Sequence, residues 1–145
     1  MIVVLCGGGA SLRIIMATTS VLASQPVMAF VATSDQARAK IFYRDILGLK
    51  LVAEELPFAL VFDANGTMLR VSIVKEFTPA KFTVLGWRVS DIVETVKRLR
   101  ETGVRFQQYE WMKQDDGIWT APGGARVAWF QDPDGNILSL TEFPQ

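Results

Sequence analysis

None of the 145 residues is histidine, so the sequence lacks the commonest general base and the commonest metal ligand. Its one cysteine, Cys6, excludes both an internal disulfide framework and a Cys-based zinc site. Catalysis would therefore depend on carboxylate, Lys, Tyr, Arg or backbone groups. The candidates are Arg70 as an electrophilic stabiliser and Tyr43, Tyr109 or a carboxylate as the acid or base. No pair of these residues has a spacing that demands such a role.

The overall composition is that of one compact globular domain, with 50% hydrophobic and 21% charged residues. Fifteen basic and fifteen acidic side chains cancel. There is no net positive field or basic run that would attract nucleic acid or an anionic membrane, and no stretch has the length of a membrane-spanning helix. We expect a cytoplasmic protein with neither kind of partner.

Residues 1–27 are mostly small and apolar, and they have two interpretations. A secretory signal should open with a positive region, yet the only basic residue is Arg13, and glycines interrupt the apolar run before it. The alternative is an extension, with Met16 as a plausible true start, that contributes nothing to the site. We predict an extension over 1–27 and a single domain over 28–145.

The domain contains an internal repeat. FVATSD precedes a helical pattern that ends at Gly48, and GWRVSD precedes one that ends at Gly103. The aspartates of these two motifs are Asp35 and Asp91. Each half then continues with ALVFDANGTMLRV or AWFQDPDGNILSL, which predict a strand, a turn and another strand. The repeat divides the domain into modules 28–81 and 82–145.

Each module is predicted to fold as strand, helix, strand, strand, strand. Asp91 and Glu94 form a capping-box pattern at the second helix, and Gly103 is suited to its end. Ala37, Ile41, Phe42 and Ile46 are predicted to form the buried face of the first helix, and Ile92, Val96 and Leu99 that of the second. Strands are predicted over 28–32, 49–53, 59–62, 68–74, 82–89, 104–109, 126–130 and 137–141.

The turn sequences support these assignments. Pro133 and Gly135 in DPDG, like Asn65-Gly66 in the first module, favour tight turns. We expect Asp132 and Asp134 to shape the turn and to do nothing else.

The sequence resembles the vicinal oxygen chelate superfamily, which includes glyoxalases, extradiol dioxygenases, fosfomycin-resistance enzymes and bleomycin-resistance binding proteins. The resemblance is carried by DQARAKIFYRDILGL, by the paired modules and by WFQDPDGNILSLTEF, and it covers 28–143. It implies an α+β fold in which two βαβββ modules form a curved mixed sheet around a cleft, commonly in a homodimer.

The resemblance also implies where a divalent metal would bind in the enzymes. The corresponding positions are Met28, Val84, Arg70 and Ser139, and none is a histidine or carboxylate. Glu142 lies an odd number of residues beyond Ser139, so alternation should point it away from the cleft unless a bulge intervenes. We therefore predict neither metal nor cofactor.

Alternation from these positions predicts the rest of the cleft lining: Met28, Phe30, Ala32, Met68, Arg70, Ser72, Val84, Gly86, Arg88, Ile137, Ser139 and Thr141. Leu69, Val71, Leu85, Trp87, Val89, Leu138 and Leu140 should lie on the opposite face, in the core. Arg70 is suited either to an anionic or flat ligand or to a structural pair with Glu54 or Glu55. Met28 and Met68 are suited to simple packing or to an aromatic ligand.

The second module has an insertion within QQYEWMKQDDGIWTAPGGA. Its aromatic residues flank a polar turn at Asp115, Asp116 and Gly117, which predicts a hairpin or flap. Trp111 and Trp119 either cover the cleft and stack on a ligand or pack against a dimer partner, and we expect the first.

Three functions fit these features. The expected one is a metal-independent binder of a flat aromatic or anionic small molecule, with a ligand site that includes Met28, Phe30, Met68, Arg70, Val84, Arg88, Trp111, Trp119 and Ser139. The first alternative is a metal-independent enzyme that uses Arg70 with a tyrosine or carboxylate. The second is a protein whose own side chains fill the cleft and which acts by association only.

Overall fold

The computed structural model describes residues 21–145, so most of the predicted extension, with Cys6, Arg13 and Met16, lies outside the described residues. Within that range the chain forms two mixed sheets and two short helical layers, which confirms the predicted α+β class. No helix among these residues is long and apolar enough to cross a membrane.

The first sheet is built from the first module. Its strands, in spatial order, are β1 (Met28–Thr33), β4 (Thr67–Ile73), β3 (Ala59–Ala64) and β2 (Lys50–Glu55). β1 is parallel to β4, and the other pairs are antiparallel. Asn65 and Gly66, with φ of 52° and 90°, make the predicted tight turn between β3 and β4.

The second sheet contains β5 (Thr83–Arg88), β9 (Ile137–Glu142), β8 (Arg126–Gln131), β7 (Ile118–Thr120) and β6 (Gln114–Asp115), in that spatial order. The predicted strand over 104–109 is wrong, because this segment makes only an isolated bridge, from Phe106 to Phe130. On the side of β8 that faces away from β9, the strand partner is β7, which belongs to the insertion. The insertion therefore supplies the outer strands of the sheet.

The first helix, α1 (Gln36–Lys40), continues directly into a π-helical segment (Ile41–Ile46). The wider turn changes the buried face that was predicted. Ala37 is exposed and Ile41 is 53% exposed, whereas Ala39 and Tyr43 are fully buried. Because a π-helix spaces its hydrogen bonds five residues apart, the 3.6-residue period used for the prediction fails here.

The second helix, α2 (Ile92–Glu101), matches its prediction. The Asp91 side chain accepts a hydrogen bond from the Glu94 amide at 3.0 Å, which caps the helix. Ile92 and Val96 are buried, and Gly103 adopts the positive φ of 98° that ends the helix.

One continuous apolar core joins the two modules. Its members include Tyr43, Phe62 and Leu69 from the first module and Phe130 and Leu138 from the second. The residues that were predicted to face the helices are all buried in this core or pack against it. The other face of each sheet points away from this core.

Candidate functional site

The face of the first sheet opposite the core carries the predicted residues of module 28–81. Met28 is paired with Met68, and Phe30 with Arg70, on adjacent parallel strands. Met28, Phe30 and Met68 are 44%, 58% and 41% exposed. The structure therefore brings these four predicted residues together on a surface that one chain leaves uncovered.

Arg70 is paired with an acid on this surface. Its Nη2 donates to Glu55 Oε2 at 2.5 Å, while Glu54 pairs instead with Lys40. The hydrogen bond from Arg70 lowers the pKa of Glu55 and raises that of Arg70. Of the two interpretations of Arg70, the structure shows the ion pair, so its charge is largely balanced before any ligand arrives.

The corresponding face of the second sheet carries Gly86 beside Ser139 and Arg88 beside Thr141. Ser139 is only 6% exposed. A Cβ atom on Gly86 would lie 2.7 Å from Ser139 Oγ, so the Ser139 hydroxyl would have to move if Gly86 were replaced by alanine. The guanidinium of Arg88 lies 5.3 Å from the centre of the Phe143 ring, in a cation–π contact.

Val84 does not occupy the cleft face on which alternation placed it. A bulge pairs Thr83 with Ile137 and Leu85 with Leu138, which leaves Val84 as the extra residue. Val84 packs against the core, and the Thr83 hydroxyl accepts a hydrogen bond from Trp129 Nε1 at 3.2 Å on the open face. Thr83 therefore takes the place predicted for Val84.

Aromatic side chains cluster on this open face. Trp129 lies at the centre, with the ring of Trp119 at 6.1 Å and the ring of Tyr109 at 5.8 Å. Trp111 contacts Tyr109 at 5.6 Å between ring centres but remains 78% exposed. The insertion therefore places its aromatic residues beside the sheet, and Trp111 extends the cluster into solvent.

The insertion forms the predicted hairpin, and its side chains fix the cluster. Asp116 and Gly117 have φ of 50° and 79°, which makes the turn between β6 and β7. Gln114 accepts a hydrogen bond from the Tyr109 amide at 2.7 Å and donates to the Gln107 carbonyl at 3.1 Å. These bonds tie the segment that carries Tyr109 to the hairpin that carries Trp119.

A cavity of about 530 Å³ lies next to the cluster and is lined by Pro79, Ala80, Lys81, Gln107, Tyr109, Gln131, Gly135 and Ile137. Its volume is in the range typical of small-molecule sites. Lys81 is exposed, and its ammonium group has no hydrogen-bond or ion-pair partner in the part of the chain that the structure describes. The cavity thus combines one aromatic side chain of the cluster, Tyr109, with the ammonium group of Lys81.

Sequence reasoning missed Trp129, Lys81 and Gln131. The same alternation that selected Ser139 on β9 places Trp129, its direct partner on β8, on the same face. Gln131 follows two residues later on that face. Lys81 lies in the connection between the modules, where no periodic pattern could have selected it.

The acid–base candidate Tyr43 does not lie on either open face. It is fully buried, and its hydroxyl donates to Asp132 Oδ2 at 2.7 Å. Burial, followed by the charge of Asp132, raises the pKa of Tyr43 far above its ordinary value. Tyr43 therefore remains protonated and has a structural role.

The expectation that Asp132 and Asp134 only shape their turn is wrong. Asp132 does accept hydrogen bonds from the amides of Asp134 and Asn136 within the turn. Asp134, however, also accepts from the Thr33 hydroxyl at 2.6 Å and the Ser34 amide at 2.8 Å. Together with Tyr43, these contacts join the second module to the first.

The four positions at which superfamily enzymes hold a metal do not fit a divalent ion. A thioether, a guanidinium paired with Glu55, a valine packed against the core and a buried hydroxyl do not form a nitrogen and oxygen donor set. Glu142 points away, as predicted, because its carboxylate accepts from the Ile92 amide at 2.7 Å. Residues 21–145 hold no cluster of three or more His, Cys, Asp or Glu arranged for a metal.

Comparison with solved structures finds the same fold in several proteins. A lactoylglutathione lyase from Agrobacterium tumefaciens is 19% identical, with a TM-score of 0.64 over 81% of this chain and 93% of the other. The fosfomycin resistance protein FosX from Listeria monocytogenes is 14% identical, with a TM-score of 0.65 over 83% and 94%. A superfamily member from Sphaerobacter thermophilus is 27% identical, with a TM-score of 0.62 over 80% and 96%.

No curated protein sequence matches the chain. The family model described as the Glyoxalase/Bleomycin resistance protein/Dioxygenase superfamily matches residues 25–140, from before β1 into β9. Together with the two mixed sheets and the repeated module, this match shows that the chain belongs to the Glyoxalase/Bleomycin resistance protein/Dioxygenase superfamily.

Proposed function

We propose that the protein is a metal-independent small-molecule binding protein that holds a flat aromatic anion on the open face of its second sheet. The observation that carries the proposal is the cluster of Trp129, Trp119 and Tyr109 beside a cavity of about 530 Å³. Aromatic faces bind flat rings, and the lining cation Lys81 is suited to an anionic group on the same ligand.

The charges of the described residues favour Lys81 over Arg70 as the anchor. An anion at Arg70 would have to displace Glu55 from a direct hydrogen bond, whereas Lys81 has no such competitor within residues 21–145. Arg70 and its neighbours then belong to a separate surface, the open face of the first sheet. Of the acid–base candidates, Tyr43 is held in the core and does not reach a ligand on the open face.

The proposed protein acts as a homodimer in which a second copy covers the open face of the first sheet. Met28, Phe30 and Met68 form an exposed apolar group on regular strands, which is typical of a surface that another chain covers. Light scattering should give the mass of a dimer, and Phe30→Arg should give a monomer that remains folded. A wild-type protein that stays monomeric at high concentration would contradict this part of the proposal.

Binding can be tested with 2-naphthoate as the probe. At about 100 times its Kd, a ligand adds roughly 2.7 kcal/mol of stability, which raises the melting midpoint by several degrees. We expect such a shift together with quenching of tryptophan fluorescence. Trp129→Leu should abolish both effects.

A matched pair of lysine variants tests the anchor. Lys81→Gln should weaken binding of 2-naphthoate about 10-fold, because it removes a charge-assisted contact. Lys97→Gln removes the same charge from an exposed position on α2 and should leave binding unchanged. If Trp129→Leu has no effect on binding, the site is elsewhere. If NMR shows that the protein converts 2-naphthoate into another compound, the enzyme alternative is favoured instead.

A further inference from the structure

A second cavity, of about 560 Å³, lies where the two modules meet and shares Gln107 and Gln131 with the lining of the first cavity. The first module contributes Arg38, Phe42 and Ile46 from its helical layer. The second contributes segments 103–107 and 131–133. We call this cavity the inter-module groove.

The floor of the groove is apolar and its rim is basic. Phe42 and Val104 are buried, and Phe106 and Ile46 are half-buried, so a ligand here would contact packed hydrocarbon. Arg38 and Arg105 are exposed at the rim. Within residues 21–145, neither guanidinium forms a hydrogen bond or an ion pair.

The free state of these two arginines contrasts with that of the next cation along the surface. Arg100 donates to the Asp116 carboxylate at 2.7 Å and also packs over the Phe106 ring. The one acid in the lining, Asp132, already accepts bonds from Tyr43, Asp134 and Asn136. Asp132 keeps its negative charge, but it is buried and forms no ion pair with Arg38 or Arg105 among the described residues.

We propose that the inter-module groove binds an amphipathic anion whose hydrocarbon chain lies along Phe42, Ile46 and Phe106 and whose carboxylate is bound by Arg38 and Arg105. Two unpaired guanidiniums are suited to a carboxylate, because their fork of donors matches its two oxygens. The apolar floor supplies affinity for a flexible hydrocarbon chain. Because residues from both modules would contact the ligand, binding would strengthen the contact between them.

Decanoate is the probe for this groove, and isothermal titration of the full chain measures its affinity. Arg38→Gln and Arg105→Gln should each weaken binding about 10-fold, and the double variant should weaken it further, because each substitution removes a charge-assisted hydrogen bond. Arg98→Gln is the matched control, since it removes an exposed arginine that does not line the groove. All three substituted positions are exposed, so circular dichroism should show an unchanged fold in the four variants.

Two further measurements distinguish this groove from the aromatic site. Trp129→Leu should retain full decanoate affinity, and the amide signals of Val104 and Phe106 should shift on binding. Decanol, which has the same chain without the charge, should bind at least about 10-fold more weakly. Equal affinity in the double variant and in Arg98→Gln would overturn the proposal, and so would loss of decanoate binding in Trp129→Leu.

Discussion

Tyr43 and Asp132 lie 89 residues apart in the sequence and are joined by a buried hydrogen bond of 2.7 Å between the Tyr43 hydroxyl and Asp132 Oδ2. One side chain belongs to the helical layer of the first module and the other to the last turn of the second. The Asn136 side chain adds a contact to the Ala32 carbonyl at 2.8 Å. The DPDG turn, which local sequence preferences predict, thus also fixes how the two modules pack.

Tyr43→Phe should destabilise the protein by about 1–3 kcal/mol, because it leaves a buried carboxylate oxygen with one donor fewer. Urea unfolding measures the loss. Tyr109→Phe is the control: its hydroxyl bonds to Gln107 at a half-buried position, so the cost should be smaller. Equal costs for the two substitutions would contradict a special role for the Tyr43 contact.

Stability should also fall at alkaline pH through Tyr43. Burial raises its pKa far above the ordinary value of 10.0, so above that pH the unfolded chain loses a proton that the folded chain keeps. Stability is therefore complete below pH 10 and decreases as pH rises further, by about 1.4 kcal/mol per pH unit for one proton. Urea unfolding of wild type and Tyr43→Phe across this range should give different slopes. Parallel slopes would show that Tyr43 ionises normally.

Much of the fold could be predicted because local rules and tertiary packing agree there. The alternation of β4 and β9 correctly separated core from open face, and Gly48 and Gly103 correctly ended the helices with positive φ. Glu142 was placed correctly by the same period of two. These features depend on neighbouring residues only.

The failures occur where a single residue changes the period or where the partner is distant in sequence. The π-helical segment 41–46 turns Tyr43 inward. The bulge at Val84 places Thr83 on the open face in the position predicted for Val84. Asp134 looked like a turn residue because its partner Thr33 is 101 positions away. Neither a bulge nor a contact between modules leaves a periodic signal in one sequence.

Arg70→Met should raise the pKa of Glu55 toward its ordinary range, because it removes the hydrogen bond that now lowers it. Since the folded pKa is lowered, the pair contributes stability above the unfolded pKa of Glu, and that contribution is lost as pH falls. The stability difference between wild type and variant should therefore shrink in acid. NMR of the side-chain carboxyl measures the pKa.

Lys40→Met provides the comparison for this titration, because it breaks the neighbouring pair with Glu54 and leaves Arg70 in place. It should not change the pKa of Glu55. A Glu55 pKa that is the same in wild type and Arg70→Met would mean that Arg70 is free in solution. In that case Arg70 would return as a candidate anchor for an anionic ligand.

Gly86→Ala should cost about 1–3 kcal/mol, because its Cβ would lie 2.7 Å from the Oγ of buried Ser139 and the hydroxyl would have to move. Gly123→Ala, where an added Cβ meets nothing within 4 Å, should be neutral. If the hydroxyl is the obstacle, Gly86→Ala should cost much less in a Ser139→Ala background. Urea unfolding of the four variants of this cycle measures the coupling. A cost that is unchanged by Ser139→Ala would point to the Ser139 backbone carbonyl, 3.4 Å from the added atom, as the group that limits the approach of the two strands.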